Sequence, residues 1–186
     1  MKKVITGIFK EMIPVILGVL VALFINRWAE DIKDQAYIKE ITQSMKLEFD
    51  ESLEEINSTI PKQNTLIDSL RMNMPNTNMS VMDVARLADG FHIAQIKNNS
   101  WKAISQTKIE LLEYERLKVL SDIDYGKELL NEKQTIMMNY VFNNINETSE
   151  TAKQTVMILM SDLINTERAL KAAIEEYQAL DNDEVN

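Results

Sequence analysis

The sequence has no cysteine, one histidine, four glycines and three prolines in 186 residues. Without cysteine, the chain has no disulfide, no thiolate metal ligand and no cysteine nucleophile. A sheet-rich fold needs many tight turns, which are built mainly from glycine and proline, so the scarcity of both favours long helices. The eleven methionines agree with this, because methionine is a good helix former and an adaptable core filler. We therefore predict an all-α fold.

No catalytic or metal-binding constellation is recognisable in the sequence. The only histidine, His92, has no second histidine or cysteine with which to hold a metal. No serine stands in a G-x-S-x-G motif, and no glycine-rich phosphate loop is present. The segment 122–126 looks like part of a calcium loop, but Ile123 and Tyr125 occupy ligand positions. We expect no enzymatic activity, no cofactor and no metal.

An apolar N-terminal segment predicts a membrane anchor. Residues 12–25 carry no charge, and the apolar run is longer, from Ile5 to Trp28, if its flanks are included. At about 1.5 Å per residue the longer run crosses a hydrocarbon core of roughly 30 Å. A signal peptide would end in a small-x-small cleavage site, whereas large residues such as Phe24 end this run. We predict an uncleaved transmembrane helix over residues 11–28.

The charges around this span predict its orientation. Three lysines lie before it, whereas only Arg27 and Lys33 follow it closely. An excess of lysine and arginine holds that end of a span in the cytoplasm. Residues 1–10 are then a short cytoplasmic or membrane-surface segment. Residues 29–180 form an extracytoplasmic helical domain, which is periplasmic in a cell with two membranes.

The domain beyond the span is acidic. The chain has 20 Lys and Arg residues and 29 acidic residues, of which four basic and one acidic residue precede Glu30. Residues 30–186 therefore hold 16 basic and 28 acidic side chains, a net charge of −12. Such a domain repels nucleic acid and anionic headgroups. The predicted partners are the lipid bilayer and either another membrane protein or a second copy of the chain, with no nucleic acid.

The span carries features that suggest contact with a partner. A carboxylate at Glu11 is unfavourable in hydrocarbon unless it lies at headgroup level or meets a partner's donor, and both interpretations stay open. Gly18 and Ala22 form a small-xxx-small pair, which lets a second helix approach closely but is also frequent by chance. Asn26 and Trp28 follow at the interface. These five residues are the candidate membrane-partner contacts.

Beyond the span, helical spacing is the dominant pattern. Apolar residues recur every three or four positions from Ile38 to Ile60, and Pro61 either kinks this helix or begins a new one. Ser80 with Asp83 predicts a capping box and a short helix. The run Asn98-Asn99-Ser100 is expected to cap another short helix, from Trp101 to about Thr107. A longer helix is predicted from about Tyr114 to Asn144, weakened at Gly126 by the low helix propensity of glycine.

The last helix has a heptad-like seam. Its apolar positions fall on alternating steps of three and four residues, at Val156, Leu159, Leu163, Thr166, Leu170, Ala173, Tyr177 and Leu180. The seam packs against the first helix in an antiparallel, coiled-coil-like bundle, or it pairs two copies of the chain; periodicity leaves both open. Residues 181–186 are predicted to be a frayed acidic tail.

The stretch from Glu11 to Trp28 resembles an uncharacterised family of small bacterial single-pass inner-membrane proteins. The matching residues are Glu11, Gly18, Ala22, Asn26 and Trp28, followed by a charged helical run. Lys10 stands where the family has a glycine. The resemblance implies a bacterial inner-membrane location, no known activity, and a shared purpose of these residues in anchoring or partner contact.

Two functions remain open on this basis. The leading hypothesis is a non-enzymatic, membrane-anchored accessory or scaffold subunit that associates with itself or with a larger inner-membrane complex. The alternative is a periplasmic sensor or ligand-binding module. Since only about ten residues precede the span, such a sensor needs a separate transmitter.

Overall fold

The prediction of an all-α fold is confirmed for the residues that the structure describes. The computed structural model describes the backbone of residues 2–183 and the side chains of residues 12–180. Its helices are α1 (Lys2–Met72), α2 (Val81–Leu87), α3 (Asn99–Ser105), α4 (Tyr114–Asn144) and α5 (Glu150–Asp183), with a short 3-10 turn at Ile109–Leu111. The chain forms two compact units, residues 1–42 and residues 43–186.

The first unit is the N-terminal part of α1. The helix runs without a break through Pro14, although proline has no N–H group to donate to the preceding turn. Every side chain from residue 12 to residue 33 is exposed. This unit therefore presents its apolar side chains on all sides of the helix.

In the second unit, α5 runs antiparallel to the C-terminal part of α1. Phe49 meets Tyr177 edge to face, with ring centroids 5.2 Å apart. Further along, Gln63 of α1 donates to Glu167 of α5. Because the residue numbers rise on α1 as they fall on α5, the two helices point in opposite directions. The helix also continues through Pro61, which neither ends α1 nor begins a new helix.

The buried stripes of these two helices alternate steps of three and four residues, in a register that differs from the predicted one. On α1 the stripe consists of Met45, Phe49, Ser52, Ile56, Thr59, Gln63, Leu66 and Leu70. On α5 it consists of Lys153, Val156, Met160, Leu163, Glu167, Leu170, Ile174 and Tyr177. The predicted Leu159 and Ala173 are only half-buried. The predicted seam contains no charged residue, whereas the structure buries Lys153 and Glu167, both of which have hydrogen-bond partners inside.

Helices α4 and α5 form an antiparallel hairpin. Helix α4 has the bounds predicted for it, Tyr114–Asn144, and Gly126 does not interrupt it. A methyl group on Gly126 would lie 2.8 Å from Cδ2 of Leu170, so the glycine permits close packing of the two helices. On the same side, Lys133 of α4 donates to Asp162 of α5 at 2.7 Å.

The connection from α1 to α4 contains the short helices. Ser80 and Asp83 form the predicted capping box at the start of α2, and Asp89 and Gly90 both take positive φ angles after it. Residues 91–98, here called the strap, form no helix. The strap is followed directly by α3, which carries the buried side chain of Trp101.

Candidate functional site

The apolar surface of α1 is the first candidate site. Leu17, Phe24 and Trp28 are exposed by 55%, 73% and 61%. The predicted span, residues 11–28, is about 27 Å long at the rise of an α-helix, close to the roughly 30 Å thickness of a hydrocarbon core. By length and composition this is a helix able to cross a membrane, and none of its most apolar window is buried in the protein.

The predicted partner contacts lie on this surface. Gly18 has open space around it, since an added Cβ would meet nothing within 4 Å. Ala22, Asn26 and Trp28 are all exposed. The side chain of Glu11 lies outside the described residues. The chain therefore leaves the face that carries Gly18 and Ala22 accessible to another helix.

The strap is the second candidate site, because buried and half-buried polar side chains from three helices hold it. Its inward residues alternate with exposed ones: Ala94, Ile96 and Asn98 are buried, whereas Gln95 and Lys97 are exposed. This is the spacing of an extended chain, in which successive side chains point to opposite sides. The strap thus packs one face on the helices although it belongs to no sheet.

Gln63 and Glu167 hold the first half of the strap. Glu167 Oε1 accepts hydrogen bonds from the backbone N–H of Ala94 and from Gln63 Nε2, both at 2.9 Å. Gln63 Nε2 also donates to the carbonyl of His92 at 3.1 Å. Burial raises the pKa of Glu167, and the hydrogen bonds from Ala94 and Gln63 oppose that effect only in part.

Serine and glutamate side chains of α1 hold the region where the strap ends. The backbone N–H of Lys97 donates to Ser52 Oγ at 2.9 Å, and this hydroxyl donates to the carbonyl of Glu48 at 2.7 Å. The N–H of Ser100, at the start of α3, donates to Glu48 Oε2 at 3.1 Å. Backbone donors that form no helix bond are satisfied in this way, as buried polar groups must be.

Asn98 joins the strap to α4 and does not act as the predicted cap. No side-chain capping bond is present at the start of α3. Instead its amide donates to Asp124 Oδ1 at 2.6 Å and accepts from Lys127 Nζ at 2.6 Å. Burial lowers the pKa of Lys127, and the positive charge of Lys102 acts in the same direction.

Lys153 holds another non-helical segment, the turn that follows α1. Its side chain is fully buried, and Nζ donates to the carbonyls of Asn73 at 2.9 Å and Asn76 at 2.6 Å. These carbonyls lie just beyond the C-terminus of α1, where a cation also interacts favourably with the helix dipole. Lys153 therefore fixes the turn that leaves α1.

A cleft between α4 and α5 is the third candidate site. Its volume is about 400 Å³, and the residues that line it include Gly126, Leu129, Ala169 and Ala173. Because several of the lining side chains on α4 and α5 are small, this space remains open next to Leu170, which packs closely against Gly126. Helical proteins often bind small molecules in clefts between helices.

No described group of three or more histidine, cysteine, aspartate or glutamate side chains is arranged to hold a metal ion. The predicted seam residues Val156, Leu163, Leu170 and Tyr177 are buried inside this chain, whereas Leu159 is half-buried.

Comparison with models of protein families, with curated proteins and with solved structures finds no match to this chain.

Sequence reasoning missed the strap and the polar side chains that hold it. Two signals point to them in retrospect. Ala94, Ile96 and Asn98 alternate with polar neighbours, a spacing typical of extended chain rather than helix. On α5, Lys153 and Glu167 fall on the same three-and-four repeat as the buried apolar residues, although the local sequence shows no partner for either charge.

Proposed function

We propose that the protein is a non-enzymatic, membrane-anchored accessory or scaffold subunit that associates through its apolar helix with a second copy or with a larger inner-membrane protein. The observation that carries the proposal is the exposure of every side chain from residue 12 to residue 33. Residues 12–25 of this segment carry no charge, and an exposed apolar surface of that length far exceeds the patches that soluble monomers expose. Lipid and a partner helix are the surroundings that suit it.

The location and orientation belong to the same proposal. Three lysines precede the span, and residues 30–186 carry a net charge of −12. The positive-inside rule then places the N-terminus in the cytoplasm and the acidic helical domain outside it. Within that domain, the antiparallel packing of α5 on α1 supports a bundle with coiled-coil-like seams. The resemblance of residues 11–28 to small bacterial inner-membrane proteins supports the bacterial inner membrane as its location.

Gly18 and Ala22 are the residues through which we expect the association. They lie one turn apart on the same face of the helix, and a Cβ added at Gly18 would meet nothing within 4 Å. Where small side chains allow two backbones to approach, van der Waals contacts hold membrane helices together. Asn26 and Trp28 then lie nearer the interface, where an amide and an indole are favourable.

The test is substitution of Gly18 by leucine in the full-length chain. The added isobutyl group keeps two backbones apart, so we expect the complex extracted in mild detergent to dissociate. Leu20→Phe is the matched control, since it adds bulk about 200° around the helix from Gly18. Chemical cross-linking in the membrane followed by gel analysis reports the association. If Gly18→Leu cross-links as strongly as the wild type, the proposed contact is wrong.

A second candidate function is a ligand-binding module that acts with a separate transmitter. The cleft of about 400 Å³ between α4 and α5 favours it, because that volume is within the range of small-molecule sites. A ligand that binds only the folded protein raises the melting temperature. Ala169→Phe would fill the cleft and abolish that rise while leaving the cross-linking of the membrane helix unchanged.

A further inference from the structure

The neighbouring side chains of Gln63 and Glu167 each carry one buried oxygen atom that receives no hydrogen bond from the described residues. Gln63 and Glu167 are both fully buried. Within the described part of the chain, neither Gln63 Oε1 nor Glu167 Oε2 has a hydrogen-bond partner. A buried acceptor without a donor is unfavourable by about 1–3 kcal/mol, and by more if it is charged.

The other atoms of the pair fix its orientation. Both hydrogens of the Gln63 amide nitrogen are used, one by Glu167 Oε1 and one by the carbonyl of His92. Turning the amide over would direct its oxygen at these two acceptors and lose both bonds. The amide oxygen therefore stays as placed, and the remaining oxygens of the two side chains are both acceptors as long as Glu167 is ionised.

We propose that Glu167 is protonated in the folded protein and that its Oε2–H group donates to Gln63 Oε1, so that the two side chains form a neutral acid–amide latch. A single proton on Glu167 Oε2 lets this atom donate to Gln63 Oε1. The two oxygen atoms that otherwise lack a partner among the described side chains then share one hydrogen bond. The latch joins α1 to α5, and through Ala94 and His92 it joins both helices to the strap. Ionisation of Glu167 removes the Oε2–H···Oε1 bond of the latch and leaves a buried charge, although Ala94 and Gln63 still donate to Oε1.

The surroundings of Glu167 favour the neutral form. Burial raises its pKa above the ordinary value of 4.5, and the carboxylate of Glu55 on α1 acts in the same direction. Lys171, one turn further along α5, is directed instead at Asn57 and Glu175. On the strap, the imidazole of His92 bonds to the carbonyl of Asp89. On α4, Lys133 is paired with Asp162.

The latch makes stability depend on pH in one direction. The folded protein holds the proton more tightly than the unfolded chain, so the contribution is complete below the ordinary pKa of 4.5. It decreases as pH rises and is lost once pH passes the raised pKa. Over that interval the unfolding equilibrium constant rises by up to about tenfold per pH unit because of this one group.

The first test is a pH titration of the side-chain carboxyl carbons of glutamate by ¹³C NMR, on the full-length chain in detergent micelles. Glu167→Gln identifies the resonance by removing it, and Glu176→Gln, at an exposed position of the same helix, is the control. We expect the Glu167 resonance to titrate above the exposed glutamates. If the Glu167 resonance titrates in the same pH range as the exposed glutamates, the proposal is wrong.

Denaturant unfolding over the same pH range gives the second test. A glutamine at position 167 has one oxygen to accept from Ala94 and an NH2 group, one hydrogen of which can be donated to Gln63 Oε1, so it mimics the protonated acid. We expect Glu167→Gln to retain the fold and to lose the pH dependence that the wild type shows. Equal pH dependence in the variant and the wild type, or a variant as unstable as Glu167→Ala, contradicts the latch. Since the latch lies wholly within residues 43–186, neither test depends on association in the membrane.

Discussion

Replacement of Lys153 by methionine tests whether buried polar side chains hold the non-helical segments. Methionine has nearly the same length and shape as the lysine stem, so little cavity forms and the change removes chiefly the ammonium group. The ammonium group donates to the carbonyls of Asn73 and Asn76, at 2.9 and 2.6 Å. Both carbonyls keep one backbone donor, the N–H groups of Asn76 and Met79 respectively, so neither is left without a partner.

The expected loss follows from these contacts. Hydrogen bonds to a charged group contribute about 1.5–3 kcal/mol each, and the retained backbone bonds place both at the lower end of that range. Methionine also avoids the desolvation of a buried ammonium group, which offsets part of the loss. We expect Lys153→Met to lower the free energy of unfolding by about 2 kcal/mol, or the melting temperature by roughly 4–8 °C.

Urea unfolding of the full-length protein in mild detergent measures this loss. The buried Trp101 is the fluorescent probe, and a Trp28→Phe background removes the signal of the exposed indole. Lys171→Met is the matched control on the same helix, because its partly exposed ammonium group contributes at most about 1 kcal/mol. A loss below about 0.5 kcal/mol in Lys153→Met would refute the reasoning, since ordinary surface substitutions have effects of that size.

Two further substitutions test the packing and the strap. Gly126→Ala gains about 1 kcal/mol of helix propensity, but the new methyl group overlaps Leu170, and overpacking costs about 1–3 kcal/mol. We expect a net loss of about 1 kcal/mol in urea unfolding, and a gain instead would show that Leu170 moves aside freely. Asn98→Ala removes the partner that Asp124 and Lys127 share, so we expect a loss of about 2 kcal/mol and faster amide hydrogen exchange in residues 91–98. Unchanged exchange there would mean that the strap is held mainly by its apolar residues.

Much of the helical structure could be predicted from the sequence, because local signals specify it. The bounds of α4 and the capping box at Ser80 and Asp83 follow from helical spacing and from side chains that bond to the nearest turn. Helix propensity alone predicts that Gly126 weakens α4. The purpose of this glycine depends on Leu170, 44 positions away, which no local pattern indicates.

The polar interior could not be predicted in the same way. Lys153 and Glu167 interrupt the apolar pattern of α5, so the predicted seam moved to Leu159 and Ala173. Their burial is favourable only because carbonyls after α1 and an N–H group in the strap meet them. These partners are 73 or more positions away, and their approach is a property of the tertiary fold. For the same reason Asn98 looked like a helix cap rather than a bridge to α4.

The central claim is that the exposed apolar helix anchors the chain and joins it to a partner in the membrane. Native mass spectrometry of the full-length protein, extracted from its own membranes in mild detergent, tests this most directly. We predict intact chains with an uncleaved N-terminus, bound in fixed stoichiometry to a second copy or to a larger membrane protein, and a bare monomer for Gly18→Leu. A wild-type protein that is shortened at its N-terminus, or that is found only as a monomer, would contradict the account.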